Sequence, residues 1–189
     1  MSQAAAKNTQ SSKFSVREIC STGLFAAVIA VMAQISIPMP LGVPMTMQTF
    51  AITLAAVVLG SKLSAMASLV YLILGAVGVP VLASFSGGID KFVGPTGGFL
   101  ISFPLMAYII GLGVEHRNAF KGAFPLAVVV GTVVNYIVGV ILFVIVAHST
   151  VAVAISACVL PFIPTAIIKA VLACAIGLNI RKRIPGLKA

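Results

Sequence analysis

Six apolar runs, separated by short segments rich in charge or in proline and glycine, make up most of this 189-residue chain. Several of them approach the roughly 20 residues that an α-helix needs to cross the hydrocarbon core of a bilayer. They lack the alternation of polar and apolar residues that marks the strands of a membrane barrel. The pattern predicts an all-α integral membrane protein with six transmembrane helices, at residues 19–37, 45–59, 63–77, 97–114, 123–147 and 151–180.

The last of these runs is too long for one straight helix. Pro161 and Pro164 should break or kink it, because proline lacks a backbone donor and clashes with the preceding turn. Thr165 follows directly and is the expected N-cap of a new helix. This arrangement would place Lys169 in the first turns of that helix.

Composition supports a membrane protein and excludes several other classes. Hydrophobic residues make up 60% of the chain and charged residues 8%, whereas a soluble domain carries about 25% charged residues. The net charge of +9 does not form a nucleic-acid-binding patch, because most of the basic residues lie between the predicted spans. The three cysteines and two histidines lack the spacing of a metal site or a disulfide framework. We therefore expect neither a metal nor a nucleic acid as a partner.

The distribution of basic residues predicts the orientation in the membrane. With six spans, one side holds both termini, two internal loops and ten lysines and arginines, and the other side holds Lys91 alone. Basic residues concentrate in cytoplasmic loops, so both termini should be cytoplasmic. The predicted units are a polar cytoplasmic tail (1–18), a single six-helix membrane domain (19–183) and a cytoplasmic C-terminal tail (184–189).

Lys169 is the one charged side chain deep within the predicted spans. A charge at that depth costs roughly 3 kcal/mol on insertion scales, and such residues usually mark functional sites. The chain has only three acids as possible partners, Glu18, Asp90 and Glu115. The simplest interpretation is that a small anionic ligand supplies the missing negative charge.

Polar residues near the predicted outer side suggest a binding site there. Residues 38–44 contain three prolines and no charge, which fits either a lid over a ligand or a tight turn between helices. The amides of Gln48 and Asn135 need hydrogen-bond partners in a dry environment. For Asn135 and its neighbour Tyr136, a bridge between helices and the lining of a polar cavity are both open interpretations.

The connection at residues 81–96 has the most groups that suit a ligand. Its glycines let backbone amides approach a bound molecule, its aromatic residues can stack on one, and its lysine can pair with a carboxylate. It leads into a helix, whose N-terminal amides favour anions. The alternative is a flexible loop whose aspartate and lysine pair in water. The candidates in and just after this connection are Phe85, Asp90, Lys91, Phe92, Thr96 and Gly97.

Residues typical of catalysis, such as a Ser-His-Asp arrangement or paired carboxylates, do not occur in the sequence, so we predict that the chain is not an enzyme. A Walker A pattern is also missing, and no ATP site is expected.

In the first span, Gly23 with Ala27 and Ala26 with Ala30 form small-x-x-x-small steps. Such faces let helices approach closely, either within the protein or against another membrane subunit.

Three segments of the chain resemble a known family. They are Val-Pro-Met-Thr-Met-Gln-Thr at 43–49, Gly-Pro-Thr-Gly-Gly-Phe-Leu at 94–100, and Pro164 five residues before Lys169. Together with six short spans, they are similar to the BioY family, the biotin-binding S components of energy-coupling factor (ECF) vitamin transporters. The resemblance extends over residues 17–183.

The resemblance implies an S-component-like helical bundle in the plasma membrane of a prokaryote, which captures biotin from outside with high affinity. Uptake would need a scaffold membrane protein and two ATP-binding-cassette ATPases, and the whole subunit would topple to carry its site inward. Biotin is the transported ligand, and no cofactor is implied. The residues expected to dock on the scaffold are Gly23, Ala26, Ala27 and Ala30.

The implied biotin site uses the candidates named above. Lys91 or Lys169 meets the carboxylate of biotin. The ureido ring bonds to Gln48 and Asn135. The apolar part of the ligand lies against Phe85, Phe92 and Tyr136.

The chain departs from the family pattern just before the late lysine. An aspartate commonly stands three residues ahead of that lysine, and this chain has Ala166 there. Asp90 or Asn135 is available to replace the missing polar contact. Two other functions remain open: an S component for another small vitamin, and a membrane scaffold or channel subunit without a transport role.

Overall fold

Eight α-helices and one hairpin make up the described chain, which comprises residues 15–39, 43–118 and 122–183 of a computed structural model. Strands β1 (Ser36–Ile37) and β2 (Met45–Thr46) pair antiparallel, with Ile37 opposite Met45. Short 3-10 helices occupy Ala83–Phe85 and Leu160–Phe162. The α-helices are α1 (Val16–Ala33), α2 (Gln48–Leu59), α3 (Ser61–Ala76), α4 (Asp90–Val93), α5 (Gly97–Glu115), α6 (Ala123–Val146), α7 (Val151–Cys158) and α8 (Ile163–Arg183).

The helices have the apolar character of a membrane protein. Helices α2 and α3 are apolar but short, with 12 and 16 residues. The all-α fold class is confirmed, while six spans and cytoplasmic termini remain predictions. Within the described residues, the helical segments long and apolar enough to cross a membrane are Val16–Ala33, Gly97–Glu115, Ala123–Val146 and Val151–Arg183.

Helix α2 is the most enclosed element of the bundle. It packs against α1, α3, α5 and α8, and 11 of its 12 residues are buried. A helix enclosed in this way can be hydrophobic on every side, and α2 is apolar beyond its first turns. Its polar residues, Gln48, Thr49 and Thr53, therefore lie inside the bundle and near one end of it.

Helix α1 begins and ends earlier than the hydrophobic pattern predicts. Ser15 and Glu18 form a capping box, in which each side chain accepts a hydrogen bond from the other's backbone N–H, at 2.7 and 3.2 Å. This cap starts the helix at Val16 instead of residue 19. The helix stops at Ala33, since the hairpin takes up residues 36–37.

The predicted break in the last apolar run is confirmed. Helix α7 ends at Cys158, a short 3-10 helix follows, and α8 begins at Ile163. The expected cap at Thr165 is wrong, because this residue lies within α8 and its hydroxyl donates to the carbonyl of Phe162 at 3.0 Å. Lys169 is the seventh residue of α8, close to the helix start as predicted.

Two opposite charges hold the tight turn between α2 and α3. Gly60 adopts a φ of 84° there, a left-handed conformation that suits glycine. The Glu115 carboxylate accepts hydrogen bonds from the backbone N–H and hydroxyl of Ser61, at 2.6 and 2.9 Å. Arg181 donates to two carbonyls in the last turn of α2, at 3.0 and 3.3 Å. An anion thus meets the N-terminus of α3 and a cation the C-terminus of α2, as helix dipoles favour.

Removing the carboxylate of Glu115 should destabilise the bundle. The change Glu115→Ala leaves the Ser61 N–H without its charged acceptor, and we expect the free energy of unfolding to fall by about 1–3 kcal/mol. Thermal unfolding in detergent measures this as a lower melting temperature. Glu18→Gln is the control, because glutamine preserves the capping box of α1. Equal melting temperatures for the two variants would contradict the role given to Glu115.

Candidate ligand-binding site

A cavity of about 300 Å³ lies at the end of the bundle where α2 begins. Its walls come from α2, α5, α6, α8 and the end of α7, and from the connections that precede α2, α5 and α8. Ligand pockets in proteins occupy about 300–1,000 Å³. The cavity is therefore large enough for a small organic ligand.

Six of the ten residues predicted to bind a ligand line this cavity. They come from α2, α4, α6, α8 and the residue before α5, so the fold and not closeness in sequence assembles them. The six are Gln48, Lys91, Thr96, Asn135, Tyr136 and Lys169.

The other four candidates lie outside the cavity wall. Phe85 is 72% exposed, and Asp90 pairs with Lys91, with 3.2 Å between their charged atoms. Phe92 packs against the hydrophobic core. Gly97 is buried at the start of α5, where the Phe92 carbonyl occupies the space that a Cβ would need. A glycine at this position therefore serves close packing of α4 against α5.

Lys169 is a half-buried cation at the cavity. Its Nζ donates a hydrogen bond to the carbonyl of Thr46, in β2, at 2.7 Å. Across the described residues the ammonium group pairs with no carboxylate, since the ion pair found there joins Lys91 to Asp90. An ammonium group carries three hydrogens. Lys169 can therefore donate two further hydrogen bonds.

Lys91 provides a second cation, at the solvent-exposed edge of the cavity. Its side chain is 43% exposed, and that of its partner Asp90 is 67% exposed. An ion pair this exposed contributes about 0–1 kcal/mol. Lys91 can therefore leave Asp90 for an anionic ligand at little cost.

Gln48 is held by protein partners at the start of α2. Its Nε2 donates to the hydroxyl of Tyr71 in α3 at 2.5 Å, and its Oε1 accepts from the hydroxyl of Thr46 at 2.8 Å. One hydrogen and one lone pair of the amide remain. Sequence alone does not identify Tyr71 as a partner, because a tyrosine in an apolar run gives no sign of what its hydroxyl meets.

Asn135 both bridges two helices and lines the cavity. The two roles considered for it from the sequence are therefore both present. The residue is 2% exposed. Its Nδ2 donates to the carbonyl of Phe99 at 3.0 Å and to the hydroxyl of Ser102 at 2.7 Å, both in α5. A backbone carbonyl only accepts, so this contact identifies the nitrogen end of the amide. Oδ1 makes no hydrogen bond within the described chain and remains available as an acceptor.

Aromatic side chains form much of the apolar wall. Tyr136 packs edge-on against Phe99, with 6.4 Å between ring centroids and 81° between ring planes. Phe103 and Phe162 line the same cavity. These three phenylalanines were not among the sequence candidates, because a phenylalanine in an apolar run gives the same pattern whether its ring faces lipid or a ligand.

Part of the predicted lid forms cavity wall. Val43 and Pro44, which precede β2, line the cavity. The segment connects β1 to β2, so it joins two strands of a hairpin instead of two helices. Residues 40–42 lie outside the described residues.

The connection after α3 is tied to the end of α1 by Gln34. The Nε2 of this residue donates to the Val81 carbonyl at 3.1 Å, and its Oε1 accepts from the backbone N–H of Phe85 at 2.7 Å. Ser84 and Ser86 of the tied segment line the cavity. Gln34 therefore positions one cavity wall, a role that its place in the first apolar run did not reveal.

The four residues expected to dock on a partner divide between the inside and the outside of the bundle. Gly23 and Ala27 are exposed, and the space next to Gly23 is open. Ala26 is buried in the core, and Ala30 is half-buried against it. Positions four apart share one helix face, so Gly23 and Ala27 form the accessible part of the predicted surface. The docking role itself stays a prediction.

The fold and the cavity define a class: helical membrane proteins that hold cations and hydrogen-bonding groups around a ligand-sized space. Within this class, the motifs at 43–49 and 94–100 indicate one family in particular. The chain belongs to the BioY family, whose family model matches residues 6–186.

Named relatives and a solved structure agree with this assignment. The chain is 42% identical over 168 residues to the biotin transporter BioY of Thermotoga maritima, over 88% of this chain and 97% of the relative. It is 34% identical over 186 residues to the biotin transporter BioY of Rhizobium etli, over 93% and 98% of the two chains. A crystal structure of the S-component for biotin from an ECF-type ABC transporter matches with a TM-score of 0.79 and 27% identity, over 88% of this chain and 92% of that chain.

These relationships settle the broad functional class. Because the relatives are named as transporters and the similar structure as a transporter component, the predictions of family and of a non-enzymatic role are confirmed. The apolar helices and the family together make it a membrane protein. The family assignment gives no reason to expect a cofactor.

Proposed function

We propose that this chain is the high-affinity biotin-binding subunit of an energy-coupling factor vitamin transporter. It captures biotin on the outer face of a prokaryotic plasma membrane and depends on a scaffold membrane protein and two ATP-binding-cassette ATPases for uptake. Membership of the BioY family and the names of its relatives support this function. The observation that carries it is the cavity of about 300 Å³ beside Lys169, a lysine without an acidic partner among the described residues.

In this proposal the chain crosses the membrane six times, with α2 and α3 as short spans. Both termini are cytoplasmic, which the ten basic residues on that side support. Helix α2 then starts at the outer side, and the cavity opens outward. The membrane domain comprises residues 19–183, and the proposed tails at 1–18 and 184–189 lie mostly outside the described residues.

The groups around Lys169 match the ureido end of biotin. A ureido group presents one carbonyl oxygen between two N–H donors. Lys169 supplies a charged donor, and Asn135 Oδ1 supplies an acceptor. The hydrogen bond from Asn135 Nδ2 to the Phe99 carbonyl fixes the orientation of this amide. Buried polar groups are costly unless they are paired, which favours a ligand of this polarity. We place the ureido head between α6 and α8, with the valerate chain along Phe103 and Tyr136.

Lys91 is then the partner of the biotin carboxylate. At the exposed edge of the cavity, the carboxylate keeps part of its hydration, so the ion pair avoids the large desolvation cost of full burial. The exposed partner Asp90 releases the lysine readily, as argued above. The two lysines thus recognise opposite ends of one ligand.

Replacing Lys91 with methionine should remove the preference for biotin over its neutral amide. The wild-type protein is expected to favour biotin by up to about fivefold, the value of a partly exposed charge pair. Displacement of labelled biotin by each compound measures the preference. Lys62→Met is the control, because Lys62 is exposed in the first turn of α3, at the far end of the bundle. If the Lys91→Met variant still prefers biotin over its neutral amide, Lys91 is not the partner of the carboxylate, and Lys169 is assigned that role instead.

A ligand-competition panel tests the substrate itself. Unlabelled biotin should displace labelled biotin from the purified protein, and other vitamins should not. Stronger displacement by another vitamin would assign the chain to an S component of different specificity. A complete lack of saturable vitamin binding would favour the scaffold or channel role.

A further inference from the structure

A second, much smaller cavity adjoins the ligand cavity. Its volume is about 20 Å³, and roughly 10–15 Å³ is enough for one water molecule. Thr53 and Thr132 line only this smaller space. Five residues line both cavities: Thr49, Asn135, Tyr136, Ala166 and Lys169.

The hydroxyl oxygens of the two threonines that line the small cavity are free to accept hydrogen bonds. The hydroxyl hydrogen of Thr53 is used on the carbonyl of Thr49, and that of Thr132 on the carbonyl of Val128, each at 2.8 Å. Each hydroxyl oxygen keeps lone pairs that can accept a hydrogen bond. Asn135 adds a third acceptor, because its Nδ2 is taken by α5 and its Oδ1 has no partner in the described chain.

The donor on the other side is Lys169. One of its three hydrogens is bound to the Thr46 carbonyl, and two remain. One of these can serve a ligand in the large cavity while the other serves the small one. The small cavity is thus lined by one charged donor from α8 and by acceptors from α2 and α6.

We propose that the small cavity is a water-binding site and that its water joins Lys169 to Asn135. The water accepts a hydrogen bond from Lys169 Nζ and donates to Asn135 Oδ1 and to a threonine hydroxyl, which gives it the three bonds typical of buried water. It holds the ammonium group and the amide at the spacing at which both reach into the ligand cavity. The water site does not depend on the proposed function, whereas its effect on biotin binding does.

A crystal structure that resolves ordered water tests the site directly. The wild-type protein, with and without biotin, should show one ordered water within hydrogen-bond distance of Lys169 Nζ and Asn135 Oδ1. Absence of such density in both states would overturn the proposal, whether or not the protein binds biotin. If biotin fails to bind while the water is present, the proposed function is wrong and the water site stands.

The double change Thr53→Val with Thr132→Val tests what the water does. Valine keeps the shape of threonine and removes two acceptors, so the water should lose occupancy and biotin affinity should fall roughly three- to tenfold. Thr22→Val is the matched control, because the Thr22 hydroxyl is buried on α1 without a partner in the described chain and lies outside both cavities. Melting temperatures show whether each variant folds. Unchanged affinity in a folded double variant that has lost the water would overturn its role in positioning Lys169.

Discussion

Replacing Lys169 with methionine is expected to weaken biotin binding more than tenfold while the protein still folds. The change removes a charged donor that binds the ligand, and hydrogen bonds to charged groups contribute about 1.5–3 kcal/mol. Because about 1.4 kcal/mol corresponds to a tenfold change in affinity, the loss should exceed tenfold. The change also removes a charge that is costly within the membrane, and this gain offsets the loss of the hydrogen bond from Lys169 to the Thr46 carbonyl. Calorimetric titration measures the affinity, and thermal unfolding in detergent reports the fold.

Lys182→Met is the matched control for this experiment. Lys182 lies on the same helix as Lys169 but is exposed in its last turn, far from the cavity. Its replacement should change neither affinity nor melting temperature. Equal affinities for the Lys169 and Lys182 variants would remove Lys169 from the site.

Leucines at Gly23 and Ala27 are expected to abolish most uptake in cells without changing biotin affinity. Both positions are exposed on one face of α1, and the space beside Gly23 is open, so the larger side chains fit the isolated subunit. Against a closely packed partner helix they would cost about 1–3 kcal/mol each by overpacking. Two such changes should reduce uptake at least tenfold. Uptake of labelled biotin by cells that express the complete transporter measures this loss.

Ala175→Leu is the control for the docking surface, because Ala175 is an equally small, exposed residue on α8. This variant should transport normally. Normal uptake by the Gly23 and Ala27 double variant would contradict docking through this face of α1. Loss of binding in the purified double variant would instead reveal a folding defect.

Helix positions could be predicted from hydrophobicity because each apolar run has to bury its backbone polar groups in a helix. The break between α7 and α8 could also be predicted from the sequence, since a proline inside a helix kinks or ends it. Helix ends were less predictable. The start of α1 depends on a capping box at Ser15, and its end on the pairing of residues 36–37 with β2. Such local and long-range hydrogen bonds leave no trace in a hydropathy pattern.

The polar half of the cavity could be predicted because polar groups in apolar runs are costly and therefore conspicuous. Gln48, Asn135 and Lys169 stood out in this way, and all three line the cavity. Their partners did not stand out: the hydroxyl of Tyr71 and the carbonyl of Thr46 lie on elements far away in sequence. Only the packing of α2 against its neighbours brings these groups together.

Of the three aromatic residues predicted to wall the ligand, Tyr136 lines the cavity, whereas Phe85 and Phe92 do not. Phe85 was predicted to contact the ligand because it lies in a glycine-rich connection, yet its side chain is exposed. Phe99 and Phe103 line the cavity from within α5. A phenylalanine in an apolar helix can face lipid, core or ligand, and the direction depends on how α5 and α6 pack.

Calorimetric titration of biotin into the detergent-purified protein tests the central claim most directly. Saturable binding of one biotin per chain with a nanomolar dissociation constant is the result that we predict. Absence of a heat signal, together with failure of unlabelled biotin to displace labelled biotin, would contradict the assignment of this cavity as a biotin site.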